Sequence, residues 1–245
     1  MFSKNRIKFI KSLQIKKFRT ENQKFLVEGS KSVLELINSD YFISELYVSE
    51  WFYKEHVLLL SQKKIQVEII KESELGSASS FSTNNAALAI VSMKPNEFLA
   101  VGKDEYAIVL DDIRDPGNLG TIIRIADWYG ISKIICSETT TDFYNPKVIS
   151  ASMGSFTRIK LYYCDLEVYL SKNEIPIYGA DMIGVNVHNF QFAQSGYLVM
   201  GNESDGISKK VEKFINEKIC IPSFGKAESL NVAIAAAIIC DNIRR

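Results

Sequence analysis

The second half of the chain sets the strongest constraint on the fold. Apolar runs recur there at Tyr106–Ile113, Lys133–Ser137, Arg158–Cys164, Pro176–Asp181, Tyr197–Gly201 and Lys218–Ile221. Several place apolar residues consecutively instead of alternating them with polar ones. A strand that is apolar on both faces must be buried on both, the condition of a parallel sheet covered by helices. Segments with helical spacing lie between most of these runs, at Asn118–Trp128, Pro146–Met153, Leu166–Lys172 and Ser208–Asn216, and a last one runs from about Leu230 to Ile243. This alternation predicts an α/β domain with a parallel sheet over residues 106–245.

A smaller α/β unit is expected over residues 1–95. Its pattern reads as a helix over 5–17, a strand Lys24–Gly29, a helix Ser30–Ser39 and a strand Ile43–Ser49. A helix Trp51–Lys63 and strands Ile65–Ile70 and Ala87–Met93 complete it. Lys94-Pro95-Asn96-Glu97 marks a boundary, followed by a polar linker over 96–105. The 245 residues, 47% hydrophobic and 24% charged, have the profile of a soluble globular protein with a core large enough to need no staples. Cys136, Cys164, Cys220 and Cys240 are far apart and form no CxxC pair, so they read as reduced core thiols of a cytoplasmic protein. His56 and His188 are too few and too isolated for a metal cluster. The basic N-terminus lacks the apolar stretch of a signal peptide. The longest apolar run, Val232–Cys240, is too short to span a bilayer, so no membrane partner is expected.

Net charge is zero, but it is unevenly spread. Lys4, Arg6, Lys8, Lys11, Lys16, Lys17, Arg19 and Lys24 face only Glu21 within the first 24 residues. A local basic stretch is the footprint of a phosphate-binding surface, and equally of a solvated amphipathic helix.

Three polar, glycine-bearing segments follow predicted strands: Asp115–Asn118, Gly201–Gly206 and Pro222–Asn231. Parallel α/β sheets bind ligands at such carboxyl ends. In the first segment Pro116 fixes φ, Gly117 tolerates a left-handed turn and Asn118 suits a helix N-cap. Arg124, alone among Ile122, Ile123, Ile125 and Ala126, is left with only a weak i,i+3 pairing to Asp127. Gly201–Ser208 has the glycine spacing of a P-loop, but Ile207 stands where the phosphate-binding lysine must be, which excludes ATP there. Ser229 is expected to cap the last helix, with Asn231 inside its first turn, where asparagine is a mediocre helix former. The apolar helix behind it must be covered all round, by its own sheet or by a second subunit.

Taken in order, DPGNLGTIIRIA, LVMGNESDGIS and IPSFGKAESLNVAIAAAI resemble the three motifs of the SpoU (TrmH) class of SPOUT RNA methyltransferases, over roughly residues 106–245. Residues 1–95, through KFLVEGSKSVLEL, resemble that family's N-terminal substrate-binding domain. SFSTNNAALAIV departs from the Thr-Pro or Thr-Gln-Gly type segment that relatives often carry at the end of that domain. The resemblance implies an α/β fold whose C-terminal end forms a deep trefoil knot, and a homodimer packed through the knot helices. It implies methyl transfer from S-adenosylmethionine to a ribose 2′-hydroxyl in RNA, with ribosomal RNA favoured. A tRNA substrate, methylation of one ribosomal site that confers antibiotic resistance, and an inactive RNA-binding assembly factor are the alternatives. Arg124 falls on the family's catalytic arginine, as base or as phosphate clamp. Asn118 and Glu203 would arrange the site, and Ser229 and Asn231 would position the substrate. Gly179, Ala180, Gly201, Ile221 and Leu230 would bind the cofactor, mostly through backbone groups. Lys8, Lys11, Lys16, Lys17 and Arg19 then become candidate RNA contacts. No metal is implied.

Overall fold

In the computed structural model, which describes residues 3–81 and 83–245, the chain divides into two units. One comprises residues 1–95 with 142–157, the other residues 96–141 with 158–245. The first unit contains α1 (Lys4–Ser12), α2 (Lys16–Asn22), β1 (Lys24–Glu28), α3 (Ser30–Ile37), β2 (Ile43–Val48), α4 (Glu50–Gln62), β3 (Val67–Ile69), α5 (Glu72–Ala78) and β4 (Ala87–Ser92). Its sheet has the order β1-β4-β2-β3, with β4 antiparallel to both β1 and β2 and β3 parallel to β2. Gly29, with φ +86°, turns the chain from β1 into α3, a left-handed backbone that favours glycine.

The helix expected over residues 5–17 is two helices. The break is held by Arg19, whose guanidinium donates to the carbonyls of Leu13 and Gln14 at 3.0 and 2.8 Å. A helix leaves its last carbonyls without partners, and here a buried cation takes up two carbonyls at and just past the end of α1. The short α5 was not expected, because ESELGSA mixes glycine and serine and shows no clear apolar period.

The chain continues through β5 (Tyr106–Leu110), α6 (Pro116–Trp128), β6 (Lys133–Ser137), α7 (Pro146–Ala151), β7 (Lys160–Cys164) and α8 (Leu166–Leu170). Then come β8 (Ile177–Asn186), β9 (Gly196–Met200), α9 (Lys209–Glu212), β10 (Glu217–Cys220) and α10 (Val232–Ile243). Helix α7 lies in the 142–157 segment and so belongs to the first unit, where Phe25 of β1 meets the rings of Tyr144 and Phe156. The second unit holds a six-stranded parallel sheet in the order β10-β8-β9-β5-β6-β7. Ala107, Ile108, Val109 and Leu110 of β5 are fully buried, which is why that strand is apolar at every position. Helix α10 packs beside α6.

One irregularity shapes the carboxyl end of this sheet. Pairing between β8 and β9 stops at Gly179 and Val199. On β10 the register steps from Lys218 to Ile219 while on β8 it jumps from Gly179 to Val185, so Ala180–Gly184 loop out of the ladder. The ladder between two central strands therefore opens at its carboxyl end, the position at which α/β sheets take ligands.

Candidate active site

The amino end of α6 begins two residues earlier than the sequence suggests. Asp115 is the N-cap, with its carboxylate accepting the Asn118 N–H at 2.9 Å, and Pro116 occupies the first turn. Proline is preorganised for that position, so the helix starts there and Gly117 is helical, not left-handed. The correction matters for the site. Because Asp115 does the capping, the Asn118 side chain is available, and it donates Nδ2 to Glu203 Oε1 at 2.6 Å.

Its other end meets the third motif. Asn231 Nδ2 donates to Asn118 Oδ1 at 2.9 Å. Asn231, not Ser229, is the N-cap of α10, and its Oδ1 accepts from the amides of Ala233 and Ile234 at 2.9 and 3.3 Å. An asparagine that looked misplaced inside a helix is thus a favoured capping residue just outside one. The chain of bonds also fixes both amide orientations. The α10 amides require an acceptor, so Asn231 must turn its Nδ2 outward. Asn118 must then accept at Oδ1, and its own Nδ2 points at the Glu203 carboxylate. Three segments far apart in sequence are joined in one directed line of hydrogen bonds at the carboxyl ends of β5 and β9 and the start of α10.

Glu203 sits on the turn after β9. Asn202 closes that turn, pairing through both backbone groups with Gly206 at 3.0 Å and accepting at Oδ1 from the amides of Ser204 and Asp205. Gly201 enters it with no room for a side chain: a Cβ there would lie 2.3 Å from the Gly206 carbonyl carbon.

Arg124 is exposed on α6, with no hydrogen bond or ion pair to another described residue. The pairing with Asp127 that could have explained it is absent, because Asp127 binds Arg158 instead, at 2.8 Å. Six residues of helix separate Arg124 from Asn118, about 9 Å along the axis and about 120° around it. Arg124 therefore stands apart from the Asn231–Asn118–Glu203 line, on the solvent face with Trp128, which is 83% exposed. Ser229 is likewise exposed, two residues before the α10 cap, with no hydrogen bond to a described residue.

The chain matches the SpoU rRNA Methylase family over residues 105–241 and the MRM3-like substrate binding domain over residues 4–89. It is 30% identical to the 23S rRNA (guanosine(2553)-2′-O)-methyltransferase RlmP of Bacillus subtilis, over 98% of this chain and 96% of the relative. The structure of an AdoMet-bound rRNA methyltransferase from Sinorhizobium meliloti superposes with a TM-score of 0.88 at 27% identity, covering 100% of this chain and 96% of that one. The chain belongs to the SpoU rRNA methylase family.

The residues expected to bind the cofactor lie at or just after strand ends of the parallel sheet and before α10. Gly179 ends the β8–β9 pairing and Ala180 begins the looped-out segment. Gly201 follows β9 and Ile221 follows β10, while Leu230 precedes the α10 cap. A Cβ at Gly179 would come within 2.4 Å of Ile215 Cδ1, so the Ile215 side chain would have to move to admit one. A shallow depression of about 570 Å³ beside Leu170, Pro176 and Phe214 lies towards the amino end of β8 and is lined by none of the expected cofactor-binding residues. No group of His, Cys, Asp and Glu among the described residues is placed to hold a metal.

The basic N-terminal residues divide. Lys8 and Lys11 on α1 and Lys16 and Lys17 on α2 are exposed. Arg19 is not available to RNA. It is 2% exposed, with Nη2 and Nε on Asp142 Oδ2 at 2.5 and 3.2 Å and Nη1 on two carbonyls. Its inclusion among RNA contacts is corrected: a guanidinium with its donors committed inside a fold is a structural element.

Sequence reasoning missed Asp111, Asp112 and Asn202, which tie the strand ends together. Asp111 Oδ2 accepts the Ser208 N–H at 2.7 Å, and Asn202 Nδ2 reaches the Asp112 carbonyl at 2.8 Å. The available signal was a pair of acidic residues directly at the end of a fully apolar strand.

Proposed function

We propose that this chain transfers a methyl group from S-adenosylmethionine to a ribose 2′-hydroxyl of ribosomal RNA. The observation that carries the reading is the line Asn231–Asn118–Glu203, which joins all three family motifs at the carboxyl edge of the parallel sheet. S-adenosylmethionine supplies, when bound, a methyl on a positively charged sulfur. In the transfer a C–O bond forms as the C–S bond breaks, the sulfonium becomes a neutral thioether, and the hydroxyl proton is released. The protein's work is to hold the hydroxyl in line with the methyl and to help that proton leave.

Asn118 and Glu203 arrange the site, and Asn231 with Ser229 positions the RNA. Arg124 carries a permanent charge at neutral pH, so it acts as a clamp on an RNA phosphate in preference to acting as a base. Gly179, Ala180, Gly201, Ile221 and Leu230 form the cofactor cradle. Residues 1–95 grip the RNA, with Lys8, Lys11, Lys16 and Lys17 supplying phosphate attraction. The same reading takes the chain between β8 and α10 as the family's trefoil knot. It takes the exposed faces of α6 and α10, where Trp128 and Ile234 lie open, as a homodimer interface. An RNA substrate of this kind places the enzyme in the cytoplasm.

The test is competition between substrates. Purified protein is given labelled S-adenosylmethionine with ribosomal RNA and with tRNA from cells lacking it, and the labelled nucleotides are separated. Label in a 2′-O-methyl nucleotide of ribosomal RNA is the expected result. Label confined to tRNA, or on a base, would overturn the substrate or the chemistry respectively.

A further inference from the structure

Asp112 has a backbone that its residue type adopts at a cost. Its φ is +62°, in the left-handed region. Aspartate tolerates this better than most residues, but a non-glycine residue stays there only when its surroundings hold it. The surroundings here are specific. The Asp112 N–H donates to Ser137 Oγ at 2.9 Å, tying the end of β5 to the turn after β6. Its carbonyl and its Oδ2 both accept from Asn202 Nδ2, at 2.8 and 3.2 Å, tying the same point to the turn after β9. Its carboxylate also holds the exposed Arg114, Nε on Oδ1 at 3.1 Å and Nη2 on Oδ2 at 2.8 Å.

Asn202 has no spare polar atom. Nδ2 goes to Asp112, Oδ1 to the amides of Ser204 and Asp205, and both backbone groups to Gly206. Glu203 lies between Asn202 and Ser204, so its direction is set by how Asn202 is held. A continuous chain of bonds thus runs from Asp112 through Asn202 to the turn that carries Glu203, which accepts from Asn118.

We propose that Asp112 is a positioning residue for Glu203, its carboxylate, presented by the left-handed turn, fixing Asn202 and through it the direction of the Glu203 carboxylate. What Glu203 then does rests on the methyl-transfer reading above. Asp112 itself is given no direct part in holding RNA or cofactor.

The test uses Asp112→Gly, Asp112→Asn and Asp112→Ala in the full-length protein. Glycine removes the backbone strain and the carboxylate together, two effects of opposite sign, so its melting temperature falls less than that of the alanine variant. It nonetheless lowers kcat by about tenfold or more, the loss expected from one hydrogen bond to a charged group, with KM for RNA little changed. Asparagine, which tolerates the left-handed region and can still accept from Asn202, retains most of kcat. Alanine loses on both counts. A second readout needs no turnover: hydrogen exchange at the Ser204 and Asp205 amides speeds up in the glycine variant and not in the asparagine variant. Wild-type kcat and unchanged exchange in Asp112→Gly would overturn the proposal. An inactive wild type whose Ser204 and Asp205 amides are nonetheless loosened by Asp112→Gly would leave the positioning intact and sink the methyl-transfer reading instead.

Discussion

Two arginines, Arg19 and Arg124, look similar in the sequence and live in opposite circumstances. Each is a cation on a helix, in a stretch that invites an RNA-binding interpretation. Arg19 is buried and gives its guanidinium nitrogens to Asp142 and to two carbonyls around the end of α1. Arg124 is exposed, and the one acidic neighbour within reach on its helix is bound to Arg158. What separates a structural arginine from a ligand-binding one is therefore whether its donors are already committed. The local density of positive charge does not decide it.

The comparison can be broken most forcefully at Arg19. Arg19→Ala leaves the Asp142 carboxylate without its cation and two carbonyls without their donor inside the first unit, and should cost about 3–5 kcal/mol in denaturant unfolding. RNA affinity of the folded fraction should stay at the wild-type value. A stable Arg19→Ala protein that binds RNA weakly would reverse the assignment. Arg124→Ala should do the opposite. Its melting temperature and its S-adenosylmethionine binding should be unchanged, while turnover falls on the order of 10²-fold, the cost of misplacing the reacting hydroxyl once its phosphate clamp is gone. Near-wild-type turnover would remove Arg124 from the site.

A subtler change probes the line of bonds to which Arg124 does not belong. Asn118→Asp keeps the shape but replaces the Nδ2 donor with an oxygen facing Glu203. Two carboxylates in contact cannot both ionise cheaply, so one takes up a proton at a raised pKa. Turnover should drop at neutral pH and recover in part as the pH is lowered, because the shared proton restores a donor between the two groups. A flat pH profile, with activity equal to wild type, would mean that the Asn118–Glu203 bond has no part in the reaction. The smallest effect is expected on the basic surface. Charge reversal of Lys16 and Lys17 should weaken RNA binding at low salt. It should also flatten the salt dependence, by about one unit of slope for each phosphate that is no longer neutralised. Unchanged affinity at low salt would make α2 an ordinary solvated helix.

Much of this was legible in the sequence, for identifiable reasons. The central parallel strands β5, β6 and β9 announced themselves because burial on both faces forces consecutive apolar residues, as in Ala107–Leu110. The three motifs brought Asn118, Glu203 and Asn231 forward together, and the structure joins them by hydrogen bonds. The helix caps were misplaced, by three residues at α6 and by two at α10. Asp115 and Asn118, like Ser229 and Asn231, are all good capping residues, and only tertiary partners select between them. Arg19 was misread because its acidic partner lies 123 residues away. For the same reason, nothing local showed that residues 142–157 would pack with the first unit. The left-handed turn at Asp112 was invisible because aspartate is common at strand ends whatever its φ.

The most direct test of the account is to map ribose methylation across ribosomal RNA in cells that lack this protein and are complemented with wild type or with Asn118→Ala. The account predicts one 2′-O-methyl nucleotide that is absent without the protein, restored by wild type, and not restored by a stably expressed Asn118→Ala. Restoration of that mark by Asn118→Ala to the wild-type level, or a ribosomal RNA methylation pattern indifferent to the protein's presence, would contradict it.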